Sequence, residues 1–204
     1  MRYAPPSESE VLRLVSEHPL AWVVSHTASD WRATPLPLRA ERIDDDGRIE
    51  TLIGHIARRN PHAALLKAES RILLLFMGVN GYVSPSWFSD RTQAPTWNYA
   101  SIQYLCDVEL LEPDSSRDAV LADAVGAMEA GRAREWRASE MGARYSMLAS
   151  RILAFRARVV ERRAIFKLGQ DERDDVYREI TAALADEGRD ELLAWMERAN
   201  PSRR

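Results

Sequence analysis

The residues best suited to chemistry lie in Tyr82-Val83-Ser84-Pro85-Ser86-Trp87-Phe88 and, shortly after, in Pro95-Thr96-Trp97-Asn98-Tyr99. Large flat side chains stand there beside hydroxyls and an amide, the mixture that a planar, hydrogen-bonding ring ligand needs. The same residues would also serve as core filling with loop-shaping prolines, and residue types alone leave that alternative open. Upstream lies Gly54-His55-Ile56-Ala57-Arg58-Arg59-Asn60-Pro61-His62. Asn60 suits a helix N-cap and Pro61 the first helical position, so a helix is expected from about 61 to 69. A helix start exposes unpaired N–H groups, and with His55, Arg58 and Arg59 just before it the local field favours an anion such as phosphate. A solvated basic turn capping the helix is the competing reading.

Other chemistries find little support. The chain has no G-x-G-x-x-G, G-x-x-x-x-G-K-[ST], H-E-x-x-H or G-x-S-x-G, and His18, His26, His55 and His62 show no metal-site spacing. His55 and His62 fall on opposite sides of the expected helix start. The single cysteine, Cys106, excludes an internal disulfide and a cysteine-based zinc cluster within one chain. Its place in an alternating strand-like run points to a buried apolar role.

The elements that must position these residues follow from periodicity and turn chemistry. Val11, Leu12, Leu14 and Val15 give a helix over 8–17, ended by His18-Pro19. Strands over 20–27 and 31–38 flank Ala28-Ser29-Asp30 as a hairpin, with Pro35 and Pro37 pushing the second toward an edge or a bulge. Asp44-Asp45-Asp46-Gly47 turns into a strand over 48–54. The leucine-rich run 71–78 reads as a strand buried on both faces, and Asn80-Gly81 as a type I′ hairpin turn. A long strand over 97–112 ends at Glu112-Pro113-Asp114. Leu121, Val125 and Met128 mark a helix closed by Gly131. A helical pattern through Tyr145, Leu148 and Ile152 passes into a strand over 153–160, and 166–168 completes the sheet. Two helical pieces split at Gly188 occupy 174–198, suited to packing or dimer formation, and Ala199 to Arg204 are expected to be disordered.

Composition sets bounds. Hydrophobic residues make up 46% of the 204, enough for one sizeable core. With 28 basic and 31 acidic residues the formal charge is −3, which gives no general attraction to nucleic acid or to an anionic membrane. There is no signal-peptide layout and no apolar run of the ~20 residues that span a bilayer, so a cytoplasmic protein with no membrane association is the expectation.

Taken in order, the strings GHIARRNP, YVSPSWF, PTWNY and Phe166-Lys167-Leu168-Gly169-Gln170-Asp171 resemble the PaiB-like family, described as FMN-binding negative transcriptional regulators. The opening Met1-Arg2-Tyr3-Ala4-Pro5-Pro6 and Ala33-Thr34-Pro35-Leu36-Pro37-Leu38 look like that family's beginning. The resemblance implies an α+β fold with a mainly β core: an antiparallel split β-barrel related to pyridoxamine-phosphate oxidases, with peripheral helices. The barrel would span 1–171 with a helical insertion at about 114–150, followed by a C-terminal helical extension, 172–204. It further implies FMN as cofactor, held at the interface of a homodimer. His55, Arg58 and Asn60 would then lie near its phosphate or ribityl chain. Thr96, Trp97 and Asn98 would lie near the flavin, with Ser84, Ser86 and Trp87 lining the same pocket, and Lys167 and Gln170 contributed by the tail. Two departures touch that tail: Gly169 stands where the family has serine and Asp171 where it has asparagine. If the tail contributes to the flavin site, these changes weaken it or alter what it takes.

Three functional classes are consistent with this reading. One is an FMN-dependent oxidoreductase or flavin-binding protein acting on an unidentified small molecule. Another is a regulator acting through DNA or a protein partner, although no recognition-helix motif or basic stripe supports direct DNA contact. The third is a barrel that has lost flavin and serves as a scaffold.

Overall fold

The computed structural model describes residues 2–112 and 114–203; Met1, Pro113 and Arg204, to which the opening, strand-end and tail expectations extend, lie outside the described residues. Six antiparallel strands close into a barrel in the order β1-β2-β3-β6-β5-β4. They are β1 (Leu20–His26), β2 (Trp31–Ile43), β3 (Ile49–Ala57), β4 (Arg71–Val83), β5 (Thr96–Leu110) and β6 (Ile152–Lys167). Inward-facing Val23, Leu38, Leu52, Leu74, Phe76, Ile102, Tyr104, Phe155 and Phe166 fill the interior, as period-two alternation requires.

Helices cover the barrel's ends and sides. The amphipathic α1 (Glu8–Glu17) is capped by the Ser7 hydroxyl, which accepts the Glu10 N–H at 3.3 Å, and it buries Val11, Leu14 and Val15. The short α2 (His62–Ala68) begins one residue after the expected start, and α3 (Asp114–Glu129) and α4 (Arg144–Ala149) form an insertion between β5 and β6. Near the C-terminus, α5 (Asp174–Asp186) and α6 (Asp190–Ala199) are separated at Gly188, whose φ of +67° suits glycine. Their Ile180, Leu184, Leu192, Trp195 and Met196 belong to the same continuous core as the barrel.

The prolines of β2 have a topological consequence. Leu38 donates its N–H to Pro19, so the even-numbered residues bond β1 while the missing N–H groups of Pro35 and Pro37 face the other way. Pairing with β3 begins only at Leu38↔Gly54, so the proline half of β2 is a local edge, whereas the rest of the strand is internal. His55, Ile56 and Ala57 are thereby freed from β2 and pair with β6 alone.

Several expectations are corrected. Asn80-Gly81 makes no hairpin: β4 runs through it, paired Asn80↔Tyr99 and Gly81↔Asn98, with a bulge between Met77 and Asn80. Gly81 does not have positive φ; it makes room for α6, because a Cβ there would lie 2.5 Å from Leu192 Cδ2. The run 71–78 is buried on one face only, with Met77 56% exposed on the other. Residues 153–168 form no pair of strands. β6 is one strand that carries an extra residue, Val160, where the register shifts between Leu105↔Glu161 and Cys106↔Val159. The tail is ordered as far as Arg203, in a 3-10 turn over Pro201–Arg203 with Arg203 donating to the carbonyls of Gly169 and Glu172.

Candidate functional site

The basic segment occupies the end of β3. Arg58 extends the β3–β6 ladder by donating its N–H to Arg151 at 2.8 Å, and its Nε donates to the Ser150 carbonyl at 3.1 Å. The rest of its guanidinium is free, and among the described residues neither Arg58 nor Arg59 has a carboxylate partner. Asn60 accepts the His62 N–H at 3.0 Å through Oδ1, which leaves its amide donors available. His55 is half-buried; its Nδ1 is enclosed without a hydrogen-bond partner, and burial holds its pKa below the ordinary value. It lines a cavity of about 270 Å³ with Gly54, Pro37, Arg39 and Trp136, opened where the β2 prolines break pairing with β3.

His62 turns out to be a core residue. It is fully buried, with Nδ1 2.9 Å from Thr34 Oγ1 and Nε2 2.8 Å from Ser25 Oγ. Burial, and then the nearby Arg32, lowers its pKa. Nothing in its sequence surroundings signals this role, because the two hydroxyls come from β1 and β2. The half-buried His18 has its Nε2 3.3 Å from the exposed Glu191, with the exposed Glu17 close by; acidic groups of this kind are common without a cation.

The aromatic segment occupies the far end of the barrel. Trp97 is 54% exposed, its ring 5.9 Å from Tyr82 across the β4–β5 pair. Lys167 donates to the Thr96 hydroxyl from the adjoining strand. Asn98 points inward instead: it is buried, its Nδ2 donating to the sulfur of Met196 at 3.4 Å and its Oδ1 left without a partner. Ser84 accepts the Ser86 N–H at 3.2 Å and starts the 3-10 turn over Pro85–Trp87. Trp87 donates to Glu187 at 3.1 Å. Gln170 closes the tail turn, accepting the Leu168 N–H at 2.7 Å and donating to the Phe166 carbonyl.

The two tail departures also have local structural explanations. Gly169 sits at φ +83°, where a side chain would be strained, and a Cβ would press within 3.0 Å of Met196. Asp171 accepts the Tyr3 hydroxyl at 2.6 Å, tying the N-terminal segment to the tail.

One chain does not bring the two sets together. His55 pairs with Ala154 on β6, beside Leu111 at the exit of β5, whereas Lys167 pairs with Tyr99 near the start of β5. The path from Tyr99 to Leu111 is roughly 40 Å of strand at ~3.3 Å per residue. Between them the outer barrel surface carries Leu20, Trp22 and Met77, at 62%, 49% and 56% exposure, with Ile165 at 37% in the row of Met77. Trp22 faces the half-buried Leu75 across the β1–β4 pair. Ser101 separates Met77 from Ile165, and Gln103 and Arg163 continue the row of Leu75.

A family model described as "Putative FMN-binding domain" matches residues 1–161. The chain belongs to this PaiB-like FMN-binding family. Within the curated relatives, protease synthase and sporulation protein PAI 2 of Bacillus subtilis is 34% identical over 105 residues, 52% of this chain and 49% of that protein. An uncharacterized Saccharomyces cerevisiae protein is 29% identical over 76 residues, 35% of this chain and 45% of that protein. The matches thus span about half the length of these relatives. Among solved structures, the FAD and heme binding protein of Mycobacterium smegmatis superposes with a TM-score of 0.61 at 19% identity, over 87% of this chain and 78% of that one. A flavocytochrome of Azotobacter vinelandii gives 0.55 at 17% identity, over 80% of this chain and 67% of that one. These likenesses establish the split-barrel fold of this PaiB-like chain. Among the described residues, no helix is long and apolar enough to cross a membrane.

The residues present fit FMN in kind. A phosphate would find free guanidinium and amide donors at Arg58 and Asn60, and His55, earlier on the same strand, has an enclosed, partnerless Nδ1. A ring would find the exposed indole of Trp97 next in sequence to Thr96, which accepts from Lys167.

Proposed function

We propose that the protein binds FMN in a crevice between two copies of this chain and acts as an FMN-dependent oxidoreductase or flavin-binding regulator on a small molecule. The observation that carries this reading is the separation of the basic and aromatic sets at opposite ends of one barrel, joined by an exposed apolar face. In a two-fold dimer built on that face with its axis running across the strands, one end of each subunit meets the other end of its partner. A basic lip from one copy would then face an indole wall from the other, twice per dimer.

Arg58 and Asn60 would hold the phosphate, whose two charges demand donors once water is excluded. His55, kept neutral by burial, would act as a hydrogen-bonding partner and not as a cation. Trp97 would cover one ring face. Lys167, positioned by Thr96, would set positive charge beside the ring, which favours a reduced, anionic flavin. Bound FMN would supply a two-electron acceptor, so the chain itself needs no acid or base triad. Ser84, Ser86, Trp87 and Gln170 would shape the pocket's frame, since their polar groups are engaged in local bonds. Asn98 would act from behind, through its packing on Met196. This reading treats 1–171 as the flavin-holding unit, with 114–150 as an insertion, and 172–204 as an extension buttressing it.

The test is mass spectrometry of ligand released from the native protein, combined with FMN titration by absorbance and sedimentation of the loaded species. Released or added FMN at one per chain in a two-chain particle supports the reading. A colourless protein that takes up no FMN overturns it and leaves the scaffold alternative.

A further inference from the structure

The insertion roofs a second cavity, about 740 Å³, against the β3–α2 connection and the start of β6. Its walls are Leu121 and Val125 of α3, Trp136 and Met141 of the following loop and turn, and Tyr145 and Leu148 of α4. The apolar stripe of α3 is thus not close-packed on the barrel: Leu121 and Val125 are only half-buried and Met128 is 46% exposed. Arg58, Arg59 and Arg151 supply the charged part of the lining, and no aspartate or glutamate lines the cavity. Next to the cavity Arg117 is matched by Asp114 and Asp118, Arg132 by Glu129, and Arg39 of β2 by Asp123, whereas among the described residues Arg134, Arg137 and Arg144 of the insertion have no ion pair either. Among the described residues, the side chains of Arg59 and Arg151 have no ion pair and no hydrogen bond. Arg58, Arg59 and Arg151 are exposed at the cavity's rim, where their guanidinium donors meet solvent with no carboxylate competing for them.

We propose that this cavity binds a small amphipathic anion, with its ring or chain among the insertion's side chains and its acidic group held by Arg59 and Arg151. The volume suits a molecule of two or three fused or linked rings, since ligand cavities of roughly 300–1,000 Å³ hold most of such a body. The guanidinium forks suit a carboxylate, sulfonate or phosphate, which two donors can grip at once. The inference goes beyond flavin binding and does not depend on it.

The experiment compares two dyes of the same ring body, anionic 8-anilinonaphthalene-1-sulfonate and neutral N-phenyl-1-naphthylamine, by fluorescence titration of the native protein. The expected result is one saturable sulfonate site per chain. The double variant Arg59→Ala/Arg151→Ala should weaken the sulfonate roughly tenfold or more while leaving the neutral dye unchanged. Val125→Trp, which projects an indole into the cavity, should weaken both dyes while the circular dichroism spectrum is retained. Unchanged sulfonate binding in the arginine variant, or in Val125→Trp, overturns the inference. Added FMN should leave the dye in place; one-for-one displacement would make this cavity the flavin site and overturn it as well.

Discussion

Replacing His62 by leucine tests how α2 is fastened to the barrel. The imidazole is fully buried and bonds Ser25 on β1 and Thr34 on β2, so it joins three elements at once. Leucine fills similar space but leaves the buried Ser25 hydroxyl without a partner, at ~1–3 kcal/mol, while the half-exposed Thr34 hydroxyl can turn to water. Adding the second lost bond and subtracting the gain from a more apolar side chain gives a net loss of about 2–4 kcal/mol. Adding Ser25→Ala should recover about 1–2 kcal/mol of it, because the orphaned group is then gone. Acidity supplies an independent check. The folded pKa of His62 lies below the ordinary 6.5, so above that pH both folded and unfolded states are neutral and no stability is lost. As pH falls below it, the unfolded chain takes up a proton that the folded ring refuses, and wild type loses up to ~1.4 kcal/mol per pH unit from this group. The variant lacks this loss, so the gap between the two proteins must narrow from about pH 8 to about pH 5.5. His55, lowered in the same sense, leaves a residual slope in both proteins. Urea unfolding of the wild type and the two variants at both pH values measures all of this. A loss under about 0.5 kcal/mol, or a gap that does not change with pH, refutes the reasoning.

Other outcomes follow from the same geometry. Cys106 is fully buried and its thiol is pushed up to about 12, so a disulfide reagent near neutrality should label it only in denaturant; fast labelling of the native protein would contradict its placement. Glu8 accepts two guanidinium bonds from the half-buried Arg162, which lowers its pKa from 4.5, so that stability is present above this value and is lost as pH falls through the folded pKa. Glu8→Gln should therefore cost about 1–2 kcal/mol near neutrality and progressively less below about pH 4, as read by thermal or urea unfolding. Trp22→Glu places a charge on the exposed apolar face and should yield folded monomers by sedimentation, with stability changed by less than about 1 kcal/mol; an unchanged dimer would remove that face from the interface.

Much of the architecture was legible because local signals and burial agree. The helix over 8–17, the long strand that becomes β5 and the pair of helices divided at Gly188 all carry a period and a stop residue matching their final packing. Gly81 shows where such reading fails: a glycine needed for close approach of Leu192 is spelled the same as one needed for a turn. The same limit hid His62, whose partners are hydroxyls on two strands far away in sequence. Recognition of the ordered motifs identified the candidate residues. It could not tell that Asn98 is buried against Met196 and Gln170 spent on internal bonds, nor that the basic and aromatic sets stand far apart along β5. That separation arises from register, which is fixed only once the whole sheet is assembled.

The flavin site is tested most directly by mixing two damaged chains. Arg58→Ala removes a phosphate donor and Trp97→Ala removes the ring wall, and each alone should take up little FMN. If every site draws its lip from one subunit and its wall from the other, a mixed dimer holds one doubly damaged site and one intact site. Random reassortment of equal amounts makes half the dimers mixed, so FMN uptake should recover to about a quarter of the wild-type level. No recovery above the separate variants, with mixed dimers verified by differential tagging, would place both residues in one subunit's site or in none, and would contradict the account.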